Sequence, residues 1–525
     1  MEILTSRQMR NIDRRAVRTF GVPELVLMEN AGFQMFGFLA RTYEDLPLRR
    51  ILLLCGRGNN GGDALVLARH LHGHGIPFRS ILFGRPRDLR RSARVQLEIL
   101  RRVGRAPSEV TSRGEWKAER RHLRSCDLVI DGILGTGLSR PVEGLLAEVF
   151  ADVNACGADV VAVDIPSGLS GDTAAVPGPC LAADYTVTFA RPKLPHILPP
   201  AEALCGELRV VDVSIPPEAV EAERCSLRLI GESELVPLLP VRRGDSHKGD
   251  HGHALVVAGS RGKGGAARMV ALGALRAGCG LLTAAIPSGL EPGFVRGAME
   301  AMTEPLPETP DGTLAAASLR RILSLLPGKR VVAIGPGLTT HPETKKLVRA
   351  VVKRARVPVV LDADGLNAFV GETRALSGRR RPLILTPHPG EMGRLIGVPT
   401  AEVVRDRVTA ARTFARRHAC WLVLKGHRTV IAAPDGMVHV NPTGNSGMAK
   451  GGSGDLLTGF LAGLLAQGVE AGAAVRLGVY LHGLAGDLAA ADLGEPPILA
   501  RDLLARFPRA LARLRPAGDL TERSR

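Results

Sequence analysis

The sequence predicts an α/β protein of two domains, each a largely parallel sheet covered by helices. Three observations carry that expectation. At 525 residues the chain is too long for a single hydrophobic core. Short apolar runs of strand type alternate with helical patterns in both halves. Glycine-rich and polar clusters recur where such a run ends, the place where parallel α/β sheets keep their ligands. A content of 45% apolar residues is that of a globular chain and not of a disordered one.

In the first half, helical periodicity over residues 6–19 and 23–41 precedes a buried-type strand at 51–55, so two helices pack beside a sheet that starts after them. GRGNNGGD (56–63) follows, then a helix through ALVLARHLHGHG and a strand at 78–83, which completes a βαβ unit. Gly56, Gly58 and Gly61 satisfy the dinucleotide pattern GxGxxG. Against an ordinary NAD-dependent dehydrogenase, the second strand ends on Gly84, Arg85 and Arg87 and not on the acidic residue that would hold an adenosine ribose. Asp63 also brings negative charge to the helix start, where a pyrophosphate would sit. DLVIDGILGTGLSRP (127–141) and VVAVDIPSGLSGD (160–172) are two more strands running into polar loops. In a parallel sheet these loops leave the same edge, so Asn60, Asp131, Asp164 and Ser167 are expected to converge on one crevice. Singly, each also has an ordinary use as a turn residue or cap. Oxygen-bearing side chains with loop carbonyls suit a monovalent or hard cation better than zinc. A last strand over 208–215 and a polar hinge, PPEAVEAERC, place the domain boundary near residue 225.

The second half opens with HKGDHGHALVVAGSRGKGGAARMV, a strand and a glycine-rich turn carrying Lys263, with a helix from about residue 265. Strands are expected at 280–286, 331–335, 357–361, 382–386 and 420–424, with helical patterns between them. Their ends carry GPGL (335–338), DADGLN (362–367), TPHPGEM (386–392) and KGHRT (425–429). Beyond a short strand-like segment at 430–433 comes NSGMAKGGSGD (445–455), which runs straight into the apolar stretch LLTGFLAGLLAQG. Free amide groups at such a helix start form a phosphate cradle. Asp455 is the first acidic residue after the glycines, placed to face a substrate hydroxyl. A flexible linker is the plain alternative, but linkers are rarely followed at once by an Asp and a long apolar helix.

The net charge of +17 invites a nucleic-acid reading, yet the basic residues are scattered and lack interleaved aromatics for base stacking, so a solvated arginine-rich surface is expected. Arginine is the default cation, 59 against ten lysines. Lysines in Gly- or Pro-punctuated stretches (Lys193, Lys248, Lys263, Lys425, Lys450) therefore mark sites that need a compact ammonium. The eight cysteines form no CxxC pair and no metal spacing, which implies reduced thiols. His247, His251 and His253 are read as surface or capping residues. Neither a signal peptide nor a membrane span is legible, so a cytoplasmic protein is expected.

NNGGD, DGILGTG and VDIPSG, in that order, resemble the N-terminal domain of the bifunctional NAD(P)H-hydrate repair enzymes, the NAD(P)HX epimerases. The resemblance implies a Rossmann-like three-layer domain over residues 1–225 that interconverts the R and S forms of hydrated NADH or NADPH, NADHX and NADPHX. It sets Asn59, Asn60, Gly61, Gly62, Asp63, Gly135, Thr136, Gly137, Leu138, Ser139, Arg140, Pro141 and Asp164 against the substrate, and Asn60, Asp131 and Ser167 around potassium (K+). Asp164 is the acid/base candidate, since changing the C6 configuration needs a proton relay or a reversible ring opening. The clusters of the second half are similar to those of the ribokinase-like fold, and within it of the ADP-dependent NAD(P)HX dehydratases. That likeness implies a dehydratase domain over residues 226–515, with 516–525 a disordered tail. It gives Asp455 the catalytic base, Lys425, Gly426, His427, Arg428, Thr429 and Gly454 to the nucleotide, and Ala266, Gly337, His388 and Asp455 to the hydrated substrate. Glu391 would orient magnesium (Mg2+) through water, and a lone His such as His388 is equally well a turn residue. ADP is the implied cosubstrate, ATP remains open, and a homo-oligomer with no nucleic-acid or membrane partner is expected. The competing reading is a ribokinase-like small-molecule kinase fused to a non-catalytic nucleotide-binding or interaction domain.

Overall fold

The structure is a computed structural model that describes residues 1–138 and 140–515. Ser139 and the tail expected at 516–525 lie outside the described residues. The chain divides into two compact units, Met1–Cys225 and Ser226 onward.

The first unit is built on seven parallel strands: β1 (Ile51–Cys55), β2 (Phe78–Phe83), β3 (Ser108–Val110), β4 (Leu128–Gly132), β5 (Asp159–Val163), β6 (Tyr185–Phe189) and β7 (Glu207–Val211). Their order, β3-β2-β1-β4-β5-β6-β7, is the doubly wound Rossmann order with one strand added. The direction of winding reverses between β1 and β4, where Cys55 pairs with Gly132, so a crevice opens beyond these two strand ends. β1 and β4 are buried on both faces and read as continuous apolar runs for that reason. Two opening helices, α1 (Ser6–Arg18) and α2 (Glu24–Thr42), cover one face together with α3 (Asn59–Gly73). α3 begins inside NNGGD, earlier than the sequence suggests. Its glycines are there for packing: a Cβ on Gly61 would stand 1.9 Å from the Gly56 carbonyl oxygen, and one on Gly56 would stand 1.7 Å from that of Ile133.

Among its described residues the second unit carries ten strands: β8 (Leu227–Leu229), β9 (His253–Val257), β10 (Leu281–Pro287), β11 (Met302–Leu306), β12 (Val331–Ile334), β13 (Val359–Leu361), β14 (Leu383–Leu385), β15 (Trp421–Leu424), β16 (Val430–Ala432) and β17 (Val438–Val440). They are ordered β11-β10-β9-β12-β13-β14-β15-β16-β17-β8, with the reversal between β9 and β12. β11 to β15 are parallel, but β15, β16 and β17 are antiparallel, so the sheet is mixed and not purely parallel as the alternation of elements suggests. The helix Ser453–Ala466 is buried along almost its whole length. It lies close against Gly264–Ala277 through glycines: Cβ atoms on Gly459 and Gly463 would meet the Val270 and Ala274 carbonyl oxygens at 2.4 and 2.3 Å. Only glycine permits that approach, and it fixes where the amino end of Ser453–Ala466 points.

Candidate active site

At the carboxyl edge of the first sheet lies a cavity of about 870 Å³. Asn59, Asn60 and Asp63 enter its wall from the start of α3, Gly135, Thr136, Gly137 and Leu138 from the loop after β4, and Asp164 from the end of β5. α1 and α2 add Asp13 and Glu24, and the loop after β6 adds Lys193. Asp164 is held with φ 62°, a left-handed backbone that a β-branched residue would resist and that clusters at functional sites. Lys193 is fully buried, with Nζ 2.5 Å from Asp164 Oδ1, 2.8 Å from Thr188 Oγ1 and 3.3 Å from the Phe189 carbonyl oxygen. Burial alone would raise the Asp164 carboxyl, but the Lys193 ammonium overrides it and holds Asp164 below its ordinary range. His196, whose Nδ1 accepts from the Lys193 amide, is pushed down to about 3 by burial and the same ammonium, and so stays neutral.

Asp131 and Ser167 lie one layer below the cavity, both fully buried. Ser167 Oγ donates to Asp131 Oδ1 at 2.5 Å, and the Ser167 amide donates to Oδ2 at 2.7 Å. Asn60 Nδ2 reaches two carbonyl oxygens, those of Leu134 (3.0 Å) and Val163 (2.6 Å). The expected convergence of four polar residues holds in part. Asn60 and Asp164 line the one cavity, whereas Asp131 and Ser167 are not in its lining. Asn60 and Ser167 both reach the Leu134 carbonyl and Ser167 bonds Asp131, so these three side chains gather under the loop after β4. The three gathered side chains all carry oxygen, a donor set whose chemistry fits potassium.

In the second unit, Lys425 at the end of β15 donates to Asp362 Oδ1 at 2.7 Å, and Thr458 Oγ1 donates to Asp362 Oδ2 at 2.9 Å. Glu391 lies 3.9 Å from the ammonium. Desolvation would lower Lys425, but Asp362 and Glu391 together hold it above its ordinary value. A Cβ on Gly454 would stand 3.3 Å from Lys425 Nζ, so the glycine lets the helix start close on the lysine. Asp455, in the first turn of Ser453–Ala466, is pushed up to about 6 by burial and by Asp362, with Lys425 opposing. A carboxyl whose pKa lies near neutrality, beside an ammonium and the amides of a helix start, can take a hydroxyl proton while a phosphoryl group is held.

The cradle is tied down from behind. The Gly444 amide and Asn445 Nδ2 each donate to Asp487 at 2.9 Å, and Lys450 Nζ donates to the Pro496 carbonyl at 2.6 Å. His482 Nε2 lies 3.0 Å from the Ser453 carbonyl oxygen, which can only accept, so that nitrogen carries the proton. Burial pushes His482 down to about 4, and the ring stays neutral. The KGHRT turn is braced by buried Arg407, whose guanidinium donates to the carbonyls of His427 (2.5 Å), Leu424 (3.2 Å) and Arg428 (3.1 Å).

The family described as NAD(P)H-hydrate dehydratase matches residues 254–509, and the one described as YjeF-related protein N-terminus matches residues 24–194. The bifunctional NAD(P)H-hydrate repair enzyme Nnr of Moorella thermoacetica is 44% identical over 515 residues, covering 98% of this chain and 97% of its own. The enzyme of the same name from Thermofilum pendens is 42% identical, with 98% and 97% covered. The chain belongs to the bifunctional NAD(P)H-hydrate repair enzymes. Among solved structures, the ADP/ATP-dependent NAD(P)H-hydrate dehydratase from Bacillus subtilis, co-crystallised with ATP and Mg2+, is 36% identical over 55% of this chain and 98% of its own, with a TM-score of 0.47. The first unit has the Rossmann-like strand order, and the second is the α/β domain that the NAD(P)H-hydrate dehydratase family matches.

Within this repair enzyme the residues at and around the two sites fall into three groups. Asn59, Asn60, Asp63, Gly135, Thr136, Gly137, Leu138 and Asp164 line the first cavity. Ala266 and Gly337 meet, a Cβ on Gly337 falling 3.1 Å from that of Ala266, and Lys425, Gly454 and Asp455 cluster as described. Others lie outside the cavity lining or make contacts within the chain. Gly61 and Gly62 sit below the cavity wall, Gly62 against Met28, and Arg140 and Pro141 are exposed and not among the cavity residues. His388 caps the helix Pro389–Ile396, its Nδ1 accepting from the Gly390 amide at 3.0 Å, while Glu391 returns the cap by accepting from the His388 amide at 2.8 Å. Gly426 has φ 144°, Arg428 Nη1 is spent on the Pro442 carbonyl and Thr429 Oγ1 on that of Gly426. A third group was not assigned from sequence: Asp13, Thr188, Asp362, Arg407, Asp487 and His482. Only the rarity of lysine offered a signal, through Lys193 and Lys425, that carboxylate partners were to be sought.

Proposed function

We propose that the first unit interconverts the R and S forms of NAD(P)HX and that the second dehydrates the S form at the expense of ADP, giving AMP and phosphate. The observation that carries this is Asp455 in the first turn of a glycine-rich helix start, beside the Lys425–Asp362 pair. Hydrated nicotinamide bears a hydroxyl at C6, a poor leaving group. Asp455 takes its proton, the oxygen attacks the terminal phosphoryl group of the nucleotide, the lone pair of the ring nitrogen then expels phosphate to leave an N1=C6 iminium, and loss of a C5 proton, which the departing phosphate can take, forms the C5=C6 bond of NAD(P)H. The amides of residues 451–454 hold the charge on the phosphoryl group, with Lys425 to one side and the Arg407-braced turn of Gly426, His427, Arg428 and Thr429 binding the nucleotide. Ala266, Gly337 and His388 border the hydrated ring. Among the described residues no cluster of three His, Cys, Asp or Glu side chains could hold a metal. Mg2+ would therefore rest chiefly on nucleotide phosphates and water, with Asp364 or Glu391 in support, and would neutralise the charge on the phosphoryl group.

In the first unit Asp164 exchanges the proton of the C6 hydroxyl, and potassium on Asn60, Asp131 and Ser167 would stiffen the loop that presents Gly135 to Leu138. All eight cysteines are free, which accords with a cytoplasmic setting, and no helix among the described residues is long and apolar enough to cross a membrane. The test is purified protein with mixed R- and S-NADHX and either ADP or ATP, followed by NADH absorbance. NADH with inorganic phosphate is expected. A stable phosphorylated organic product would instead establish the kinase reading. Replacing Asn60 or Asp131 with Ala is expected to weaken epimerisation and flatten its potassium titration without touching the nucleotide-dependent step, and an unchanged titration in both variants would remove these residues from a cation site.

A further inference from the structure

α1 lies outside the stretch of residues 24–194 that the N-terminal family matches, yet it forms a wall of the first cavity. It is fastened there at both ends. The Leu4 amide donates to the Pro192 carbonyl at 2.9 Å, Ser6 Oγ to that of Thr136 at 2.7 Å, and the Ser6 amide to Asp172 at 2.7 Å. Toward its carboxyl end Asn11 and Arg15 meet Glu223 at 3.3 and 3.6 Å. Met9, Ile12 and Ala16 are its buried stripe, and Asp13 stands at the edge of that stripe, in the cavity wall.

Asp13 shares this space with Asp63 of α3, Asp164 at the end of β5 and Glu24 of α2, with one buried ammonium, Lys193, and with the exposed side chains of Arg10, Arg14, Arg18, Arg57 and Arg90. An ammonium has three donors, and those of Lys193 are all engaged, by Asp164, Thr188 and Phe189. None is left for Asp13 or Asp63, and among the described residues no donor hydrogen-bonds either carboxyl. A confined carboxyl that no donor hydrogen-bonds, and whose buried counter-ion is committed to another group, is favoured in its protonated form. Burial pushes Asp13 up to about 6, with Asp164 and Glu24 adding to the rise and Lys193 opposing it, while Asp63 is raised well above its ordinary range. Asp63 is enclosed at 7% exposure, whereas Asp13 is less buried and open to the cavity.

We propose that Asp13 is the second proton carrier of the epimerisation, working opposite the Lys193-paired Asp164. This rests on the reading of the first unit as the epimerase. Asp164 takes the proton of the C6 hydroxyl, and the O–H electron pair becomes the second bond of C6=O. The C6–N1 bond breaks with its electron pair left on N1, where Asp13 delivers its proton. Rotation about C5–C6 turns the other face of the aldehyde to N1. Closure then reverses both transfers: N1 attacks C6 and returns its proton to Asp13, and the oxygen recovers one from Asp164. Both carboxyls end as they began and no oxidant is consumed. Two groups whose surroundings drive their protonation apart are what such a relay needs.

The test uses the full chain with nucleotide omitted, so that only R to S interconversion is read, by chromatography. Asp13→Asn is expected to lower kcat for epimerisation at least about a hundredfold, with part of the rate returned by Asp13→Glu. Dehydration of pure S-NADHX, run with nucleotide on the same preparation, reports that the variant is folded. Because Asp13 must be protonated, wild-type kcat/KM should fall as pH rises through about 6, and that limb should vanish from the residual activity of Asp13→Asn. Epimerisation within threefold of wild type with the limb in place, while Asp164→Asn is inactive, overturns the proposal and leaves the epimerase reading standing. If the wild-type chain fails to interconvert the epimers at all, the reading itself falls. Should Asp13→Asn lose dehydration as well, the limb in Asp13→Glu decides: the proposal requires it to move, and an unmoved limb overturns it.

Discussion

Replacing Asp455 with Asn is expected to lower nucleotide-dependent dehydration at least about a hundredfold while R to S interconversion continues at its normal rate. Asparagine keeps the shape and polarity of the first turn of Ser453–Ala466 but cannot take a proton. Its neighbours do not depend on the charge: Lys425 stays with Asp362, and Asp362 keeps its bond from Thr458. The loss should therefore fall on kcat far more than on the KM for nucleotide, the pattern of an interaction made in the transition state. The wild-type enzyme supplies a second signature. A base must be ionised to act, and Asp455 is pushed up to about 6, so the dehydration rate should rise with pH through that value and decline below it. The residual activity of Asp455→Asn should lack this limb. Near-normal NADH production from S-NADHX by the variant would remove Asp455 from the mechanism.

How far the sequence could be read depended on whether a signal was local. β1 and β4 are buried on both faces and announce themselves as apolar runs, and the crevice at their ends follows from parallel winding. The helix start at Ser453–Ala466 was legible because glycine, Asp and an apolar stretch are contiguous. β16 matches the short strand-like segment at 430–433, but β17, three residues long, is too short for periodicity, although Pro434-Asp435-Gly436 before it is a turn signal, with Gly436 at φ 96°. β11 contains Pro305 and sits at the edge of its sheet, the position where a strand tolerates proline. The site partners were hidden for a different reason. Lys193 and Asp164 are 29 residues apart and Lys425 and Asp362 are 63 apart, so only the fold brings them together. Scarcity of lysine marked one member of each pair. Lys263 lies 3.6 Å from Asp364 and Lys450 closes the cradle on Pro496, so four of the five lysines singled out on that ground stand at the sites. Asp13 gave no such sign, because an acidic residue among arginines on an amphipathic helix reads as a solvated one.

The full chain carrying Asp164→Asn should convert the S portion of mixed NADHX quickly and then stall at the slow spontaneous rate of epimerisation, whereas the intact enzyme should run to completion. A pocket that sets the C6 hydroxyl against Asp455 and a phosphoryl group can present it in one configuration only, so the R form must first be turned over in the other unit. Asparagine can still accept from Thr188 and from the Lys193 ammonium, but it neither balances that buried charge nor takes a proton, and the relay loses its base. The loss of the ion pair should also destabilise the first unit, which makes the rapid first phase the control: its amplitude, equal to the S fraction measured by chromatography, reports that the second unit is folded and saturated with nucleotide. Adding the Asp455→Asn chain, whose first unit is unchanged and whose dehydratase is silenced, should release the stall, because that chain supplies epimerisation and nothing else. A single fast phase that consumes both epimers in Asp164→Asn would mean that the second unit accepts either configuration, and the role assigned to Asp164 would fail.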